Sequence, residues 1–300
     1  MDSKFALLRL GIEAGDEIAI SGERFQALRT ARDGISRMLG VEEKFDTLMG
    51  NYAELEAELL TLAAEALLFT ELSWDHMMGV LALVNRRLLN VFSAARMYLD
   101  HVPHDLSAMS LERATFKSAT GAQYDAHLGY RVMEALRNYA QHRGVAANSL
   151  SYAWSRNDGT GRTHTIEFSL KMADLQADGE FKKKVLDELV ALKSPEVSLK
   201  APLREYMASL NAIHRSVRQT TGQVVDQWNS MLNVALDECR ARFGTDAVGL
   251  AAARIRLENG EPRGLLDSIY LLEDPWRRLN RLAQRNRCSP GFEVHSVSSR

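Results

Sequence analysis

Cysteine is scarce in this chain. Cys239 and Cys288 are the only two in 300 residues, too few for a disulfide scaffold and in keeping with a reducing compartment. Proline is sparse as well: six occur in all, and residues 1–102 and 104–194 contain none, which favours long helices. No apolar run reaches the roughly 18 residues of a membrane span; the stretch Leu59–Phe69 is interrupted by Glu65. Met1-Asp2-Ser3-Lys4 leads into no apolar run of the length a secretory signal needs, and there is no Asn-x-Ser/Thr acceptor. Neither sign of charge dominates. The 37 Lys and Arg against 39 Asp and Glu leave −2, which excludes a histone-like or polybasic protein. Also missing are Cys-x-x-Cys, His-Glu-x-x-His, a Walker-type loop and a Gly-x-Ser-x-Gly elbow, so the motif-based metalloenzyme, nucleotide-hydrolase and serine-hydrolase classes have no support. With 46% apolar and 25% charged residues, the expectation is a cytoplasmic globular protein without membrane association.

What is present is helical periodicity. Leu81, Val84, Leu88, Val91, Ala95, Tyr98 and Val102 recur at alternating steps of three and four, which predicts a long amphipathic helix over 71–102 closed by Pro103. A second helix is expected from Ser107 or Ser110 to Gly144, with a kink allowed at Gly121 or Gly129. Pro202 opens a third, in which Leu203, Tyr206, Leu210, Ile213, Val217, Val224, Trp228, Met231, Ala235 and Cys239 keep the same rhythm up to Gly244. A shorter helix is expected at about 180–192. Glu54, Glu56, Glu58 and Glu65 line a helix-forming stretch over 41–71, read as a solvated or partner-facing surface.

Strand patterns are few. Phe5–Leu10 and Ile18–Ile20 around Gly15-Asp16 predict a short hairpin, and Ser149–Arg156 with Arg162–Leu170 around Asp158-Gly159 predict another. A strand at Leu250–Leu257 precedes an Asn259-Gly260 turn and an Arg-rich helix near 273–287. The fold expected is mainly α, a bundle of long antiparallel helices with one or two small β-hairpins. Its parts are residues 1–70 (a hairpin and an acidic helical segment), 71–245 (a helical core with a hairpin inserted at about 149–170), and 246–300 (a strand and the Arg-rich helix).

On a helical wheel of residues 123–142, one wedge is polar throughout. It holds Arg137, Tyr130, Gln123, Gln141, Glu134, His127, Asn138, Arg131, His142 and Tyr124, within about 140° of arc. The other side holds Leu128, Val132, Met133, Leu136, Tyr139 and Ala140. A solvated helix face is ordinarily a Lys/Glu mixture; this wedge has one Glu and no Lys, which marks a site or an interface.

Arg137-Asn138-Tyr139-Ala140-Gln141-His142 resembles the Arg-polar-(three residues)-His signature of the HEPN superfamily. It lies at the end of a long helix that follows another across a short Pro-containing connection, as in the HEPN helix pair. The resemblance covers about residues 71–144. Arg96…His101 has the same spacing but lacks the polar residue after the arginine. The resemblance implies a metal-independent endoribonuclease, without cofactor, formed by a homodimer or higher homo-oligomer whose two motif helices share one cleft. RNA supplies its own nucleophile, the 2′-hydroxyl, so the protein need only move protons and stabilise charge on phosphorus. His142 would move the proton, because imidazole titrates near neutrality. Arg137 would hold a phosphate oxygen, since guanidinium cannot act as a base. Asn138 would orient one or the other. Tyr130, Arg131, Glu134 and Gln141 are candidate RNA-positioning groups. The family resemblance further implies a toxin or antiviral-defence effector, with an antitoxin or defence protein as partner.

The tail adds a basic element. Trp276–Arg287 carries five arginines, and six arginines against Glu293 leave +5 over residues 276–300. Arg277, Arg278 and Arg281 are candidates for holding RNA phosphates, or for pairing with the acidic 54–65 stretch of a neighbouring subunit. Asp100, His101, His104 and Asp105 could ligate a metal but read as a helix end, a turn and a cap. Lys182–Lys184 reads as a solvated face, and Trp74, Trp154 and Trp228 as core. The rival to the nuclease is a non-catalytic helical assembly or regulatory protein, with the polar wedge as its dimer or partner seam.

Overall fold

The computed structural model describes residues 2–11, 16–68, 73–111, 113–157, 161–289 and 291–292. Eight helices and seven strands follow one another among them: β1 (Ser3–Arg9), β2 (Glu17–Ile20), α1 (Gly22–Leu68), α2 (Trp74–Ala108), α3 (Arg113–Ala126), α4 (Leu128–His142), β3 (Ser149–Asn157), β4 (Gly161–Lys171), α5 (Met172–Asp178), α6 (Lys183–Ala191), β5 (Glu196–Ser198), α7 (Lys200–Phe243), β6 (Leu250–Glu258), β7 (Glu261–Tyr270) and α8 (Asp274–Arg285). The fold is mainly α with small antiparallel sheets, as expected. No helix among the described residues is long and apolar enough to cross a membrane.

The helix ends follow local chemistry. Ser21 caps α1, its Oγ accepting the Arg24 amide at 3.1 Å, and Ser73 caps α2 through the His76 amide at 3.2 Å. From its cap, α1 runs 47 residues behind a stripe of buried Phe25, Leu28, Ala31, Ile35, Met38, Val41, Phe45, Leu48, Tyr52, Leu55, Leu59 and Leu62. Pro103 does not close α2, contrary to expectation; the helix passes through it to Ala108. The buried stripe continues on either side, at Val102 and Leu106, and that burial outweighs the single amide that proline removes. The stop comes at Ser110, whose φ of +58° and the 2.9 Å bond from the Leu111 amide to the Leu106 carbonyl form a left-handed helix cap. Ser110 therefore ends one helix instead of starting the next, which begins at Arg113. Gly244, at φ +98°, ends α7 as its position predicted.

The chain folds as two compact units that are discontinuous in sequence, whereas the boundaries expected at 70 and 245 follow chain order. One unit comprises Met1–Glu43, His104–Glu112 and Arg218–Arg287. Its four-stranded antiparallel sheet has the order β2-β1-β6-β7, with Leu7 opposite Ala252 and Ala252 opposite Ile269. One sheet face packs Leu7, Leu250, Ala252 and Ile269 onto Phe25, Leu28, Ala235, Leu236 and Cys239. A second cluster joins Ala31, Ile35, Met38, Val225, Trp228 and Leu279. The Asn259-Gly260 turn has φ of +54° and +86°, the paired left-handed residues of a type I′ hairpin. The strand after it, β7, was not expected. The pairing of β1 with β6 joins residues some 250 apart and has no local signal. Arg218 grips buried Glu42 through two bonds, 2.7 and 2.6 Å.

The other unit comprises Lys44–Pro103, Arg113–Val217 and Cys288–Arg300. Its sheet, β3-β4-β5, is antiparallel and contains the hairpin expected at 149–170; Asp158-Gly159 of that turn, like Gly15 of the first hairpin, lies outside the described residues. Trp74, expected in the core, is 76% exposed in the first turn of α2, ahead of the buried stripe that starts at Val80. Trp228 is buried, and the side chain of Trp154 lies outside the described residues.

Three of the four glutamates of the acidic stretch are paired within the chain, while Glu65 is exposed. Arg87 of α2 donates to Glu54 at 2.6 Å and to Glu58 at 3.1 Å, and Arg204 of α7 holds Glu56 through two bonds of 3.0 and 2.9 Å. The Tyr52 hydroxyl also donates to Glu56, at 2.7 Å. Burial by itself raises the Glu56 carboxyl, but the bonds from Arg204 and Tyr52 with the Arg204 charge outweigh it and hold it below the ordinary 4.5. A depressed carboxyl contributes stability above its unfolded value and loses it as pH falls through the lower folded value. Below pH 4.5 the wild-type melting temperature is therefore expected to fall more steeply than that of Glu56→Gln, as thermal melts across acid pH will measure.

Candidate functional site

The helix bearing the Arg-Asn-x3-His motif exists because another helix breaks the chain just before it. α3 ends at Ala126, and His127 takes extended angles, φ −118° and ψ 116°, before α4 starts. No side chain of the His127 segment caps the new helix. Glu205 of α7 supplies the cap: its Oε2 accepts the Gly129 amide at 2.5 Å, while Oε1 lies 3.1 Å from His127 Nδ1. A carboxylate there satisfies an orphan amide and meets the positive end of the helix dipole. The approach is so close that a Cβ on Gly129 would lie 2.3 Å from Glu205 Oε2 and 2.8 Å from the Pro202 carbonyl oxygen. The glycine read from sequence as a kink is thus the contact point of two helices.

From that start α4 turns Gly129, Tyr130, Val132, Met133, Ala135, Leu136 and Arg137 inward. The polar wedge divides accordingly. Tyr130, a candidate for touching RNA, is 2% exposed; its ring packs on Tyr206 at 5.1 Å and on Tyr124 at 6.2 Å. Arg131, another candidate, caps the end of α3, with Nη1 donating to the carbonyls of Tyr124 (2.7 Å) and Asp125 (3.0 Å) and Nη2 to Glu188 of α6 (2.6 Å). The helices packed around them cover both side chains, and Arg131 Nε, like Arg137 Nε, is buried without a hydrogen-bond partner among the described residues. Lys182 lies over the Tyr124 ring, 4.6 Å from its centre, and bonds its hydroxyl. Asn138, Gln141 and His142 are exposed at the C-terminal end of α4.

Arg137 sits between these groups. Nη2 donates to Glu134 Oε2 at 3.0 Å, and Glu134 Oε1 accepts the Tyr206 hydroxyl at 2.6 Å. The Arg137 side chain is 8% exposed. Its Nε is buried with no hydrogen-bond partner among the described residues. Burial, then the charge of Glu134, pushes the Tyr206 phenol well above its ordinary value. Burial and Glu134 likewise raise Tyr130, with Arg137 opposing them. Both phenols stay neutral, so Tyr206 is a donor to Glu134 and never a competing anion.

Beyond His142 the chain is held from two sides. Tyr139 accepts the amides of Arg143 (2.8 Å) and Gly144 (3.2 Å) on its carbonyl. Asn85 of α2 clamps Ala147, its Nδ2 donating to the Ala147 carbonyl at 2.7 Å and its Oδ1 accepting the Ala147 amide at 2.9 Å. Arg143 pairs with Glu180. Burial, with Asp178 and Asp174 near by, raises the Tyr139 phenol. Glu205, Tyr206 and Asn85 carry no motif: Tyr206 reads as one more member of the α7 apolar stripe, and Asn85 as a polar residue mid-helix.

The arginines of α8 belong to the other compact unit. Arg277, Arg278 and Arg281 are all exposed; Arg277 pairs with Glu273, and Arg278 with Glu43 at 2.7 Å. Asp100 pairs with Arg96 at 2.5 Å, and no group of three or more His, Cys, Asp or Glu side chains suited to a metal occurs among the described residues. No family model, curated protein or solved structure matches the chain. The HEPN resemblance accordingly rests on residues 137–142 and the helix that carries them.

Gly129→Ala tests how this helix is placed. The added methyl must displace Glu205, removing the cap, and an expected loss of about 2 kcal/mol of stability is the order seen for overpacked sites. Chemical denaturation will measure it, and Gly121→Ala, where a Cβ meets nothing within 4 Å, is expected to be neutral or slightly stabilising.

Proposed function

We propose that the chain is a metal-independent endoribonuclease of the HEPN type, acting as a homodimer, of the kind used as a toxin or antiviral-defence effector. The observation that carries the reading is the state of Arg137. Its guanidinium is withdrawn from bulk water, Nη2 donates to Glu134, and among the described residues its Nε is buried without a partner, as are those of Arg29 and Arg131. Of the three, only Arg137 lies within five residues of the exposed Asn138, Gln141 and His142. Buried polar groups in folded proteins are nearly always satisfied, and an unsatisfied one calls for an explanation. A phosphate oxygen is the acceptor that a guanidinium fork fits best.

The exposed imidazole of His142 lies five residues further along the same helix, beside exposed Asn138 and Gln141. In the proposed reaction the 2′-hydroxyl of the ribose attacks its own phosphorus as a base removes its proton. The 5′-oxygen then leaves with a proton, and a 2′,3′-cyclic phosphate remains. His142 of one copy serves one proton transfer and the second copy's imidazole the other. Arg137 offsets the charge gathering on the non-bridging oxygens, and Asn138 orients the phosphate. The alternative, a non-catalytic helical assembly or regulatory protein, is favoured by a different observation. Two inner members of the wedge are paired within one chain, Arg131 with Glu188 and His127 with Glu205, which leaves its outer residues exposed for a partner.

The two readings part on one comparison. Wild type, His142→Ala, Asn138→Ala and Arg137→Ala are incubated with RNA in chelator-containing buffer, and their melting temperatures are recorded alongside. The nuclease reading expects cleavage to cyclic-phosphate ends by wild type and a loss of at least about 100-fold in His142→Ala without a change in melting temperature. Equal RNA patterns for all four folded proteins would leave the assembly reading.

A further inference from the structure

We infer that Glu134 is a latch on the proposed site. Its carboxylate engages the guanidinium of Arg137, so RNA gains that arginine by displacing it. The inference rests on the nuclease reading, whose phosphate-binding group is Arg137.

Three observations point to it. First, carboxylate and phosphate diester each present two oxygens to a guanidinium, so they compete for the same donors. Glu134 already holds Nη2 at 3.0 Å. Second, the grip is partial. One nitrogen is engaged instead of two, and Nε has no partner among the described residues. A diester bridging two nitrogens of the fork therefore offers Arg137 more than Glu134 does. Third, Glu134 does not need Arg137 in order to stay solvated or bonded. Its Oε1 is held by the Tyr206 hydroxyl at 2.6 Å, and 19% of its side chain is exposed. It can turn about the oxygen bound to Tyr206 and give up the guanidinium without becoming an unpartnered buried charge, which would be a costly outcome.

Tyr206 sets how firmly the latch closes. An ion pair three residues apart on one helix is weak by itself. The short bond from a buried, neutral phenol anchors one carboxylate oxygen beside the guanidinium and limits the carboxylate to turning about that oxygen. Glu134 is thus a positioning residue that opposes binding, and Tyr206 acts through it.

Binding of a fully 2′-O-methylated RNA oligonucleotide, which has no attacking hydroxyl, separates the latch from catalysis. The full chain is compared as wild type, Glu134→Gln, Tyr206→Phe, Arg137→Ala and the Glu134→Gln/Arg137→Ala double variant, each checked by thermal melting. Glutamine keeps an acceptor for Tyr206 but lacks the charge, and Glu134→Gln is expected to bind about tenfold tighter than wild type. Tyr206→Phe is expected to bind tighter by a smaller factor, and the double variant to lose the whole gain. Arg137→Ala is expected to bind more weakly than wild type. If Glu134→Gln binds no tighter while Arg137→Ala still weakens binding, the latch is overturned and the nuclease reading stands. If the gain survives in the double variant, the latch is likewise overturned, because it then does not act on Arg137. If Arg137→Ala binds like wild type and no variant cuts unmodified RNA, the nuclease reading falls and the latch with it. Should Glu134→Gln fail to fold, Tyr206→Phe decides, and unchanged affinity there overturns the latch.

Discussion

The amides that open α4 must find acceptors, and the acceptor comes from another helix, because the segment at His127 offers none of its own. Glu205 meets this need at the Gly129 amide, and only a glycine lets the two backbones come so near. That one contact sets where the motif helix starts and, with 3.6 residues per turn, which residues face inward from there on. Tyr130, Glu134 and Arg137 follow as covered members of the polar wedge, and Asn138, Gln141 and His142, in the last turns of the helix, stay exposed. The next residue of α7, Tyr206, then takes hold of Glu134. Two consecutive residues of one helix thereby fix both the beginning and the polar interior of another.

The interior they create has one ion pair and two phenols. Burial keeps Tyr130 and Tyr206 neutral, and it also makes an isolated charge costly, so Arg137 depends on Glu134 more than Glu134, which Tyr206 also holds, depends on Arg137. The dependence is incomplete, since Arg137 retains donors that Glu134 does not use. Among the described residues, unpartnered buried nitrogens occur at Arg29 and Arg131 as well; Arg137 differs in having an exposed imidazole five residues along the same helix. The proposed nuclease and the proposed latch both draw on these unused donors.

Charge elsewhere is spent on pairing within each unit. Glu54 and Glu58 meet Arg87, Glu56 meets Arg204, Glu42 meets Arg218, and the arginines of α8 meet Glu43 and Glu273. Exposed pairs of this kind add little stability singly, but those that join different helices lose their partner or their geometry when the helices shift. Several members of the acidic and basic runs that look like partner surfaces in the sequence are paired with other side chains of their own unit.

Elements whose cause is local could be read from the residues alone. The three-and-four spacing marks α2 and α7, Asn259-Gly260 marks its hairpin, Gly244 marks a helix end, and Arg137…His142 marks a helix with an unusual polar face, because period, cap and turn chemistry act over a few neighbours. Tertiary packing decided the remainder. It carried α2 through Pro103, left Trp74 in solvent, joined β1 to β6 across most of the chain, and chose which half of the polar wedge to bury. Each of these turns on a partner remote in sequence, and a helix or strand pattern specifies that a face is apolar or polar without specifying what will cover it. For Arg137 the distinction matters most: its identity and spacing belong to the sequence, whereas its confinement beside Glu134 and Tyr206 exists only once α4 and α7 have met.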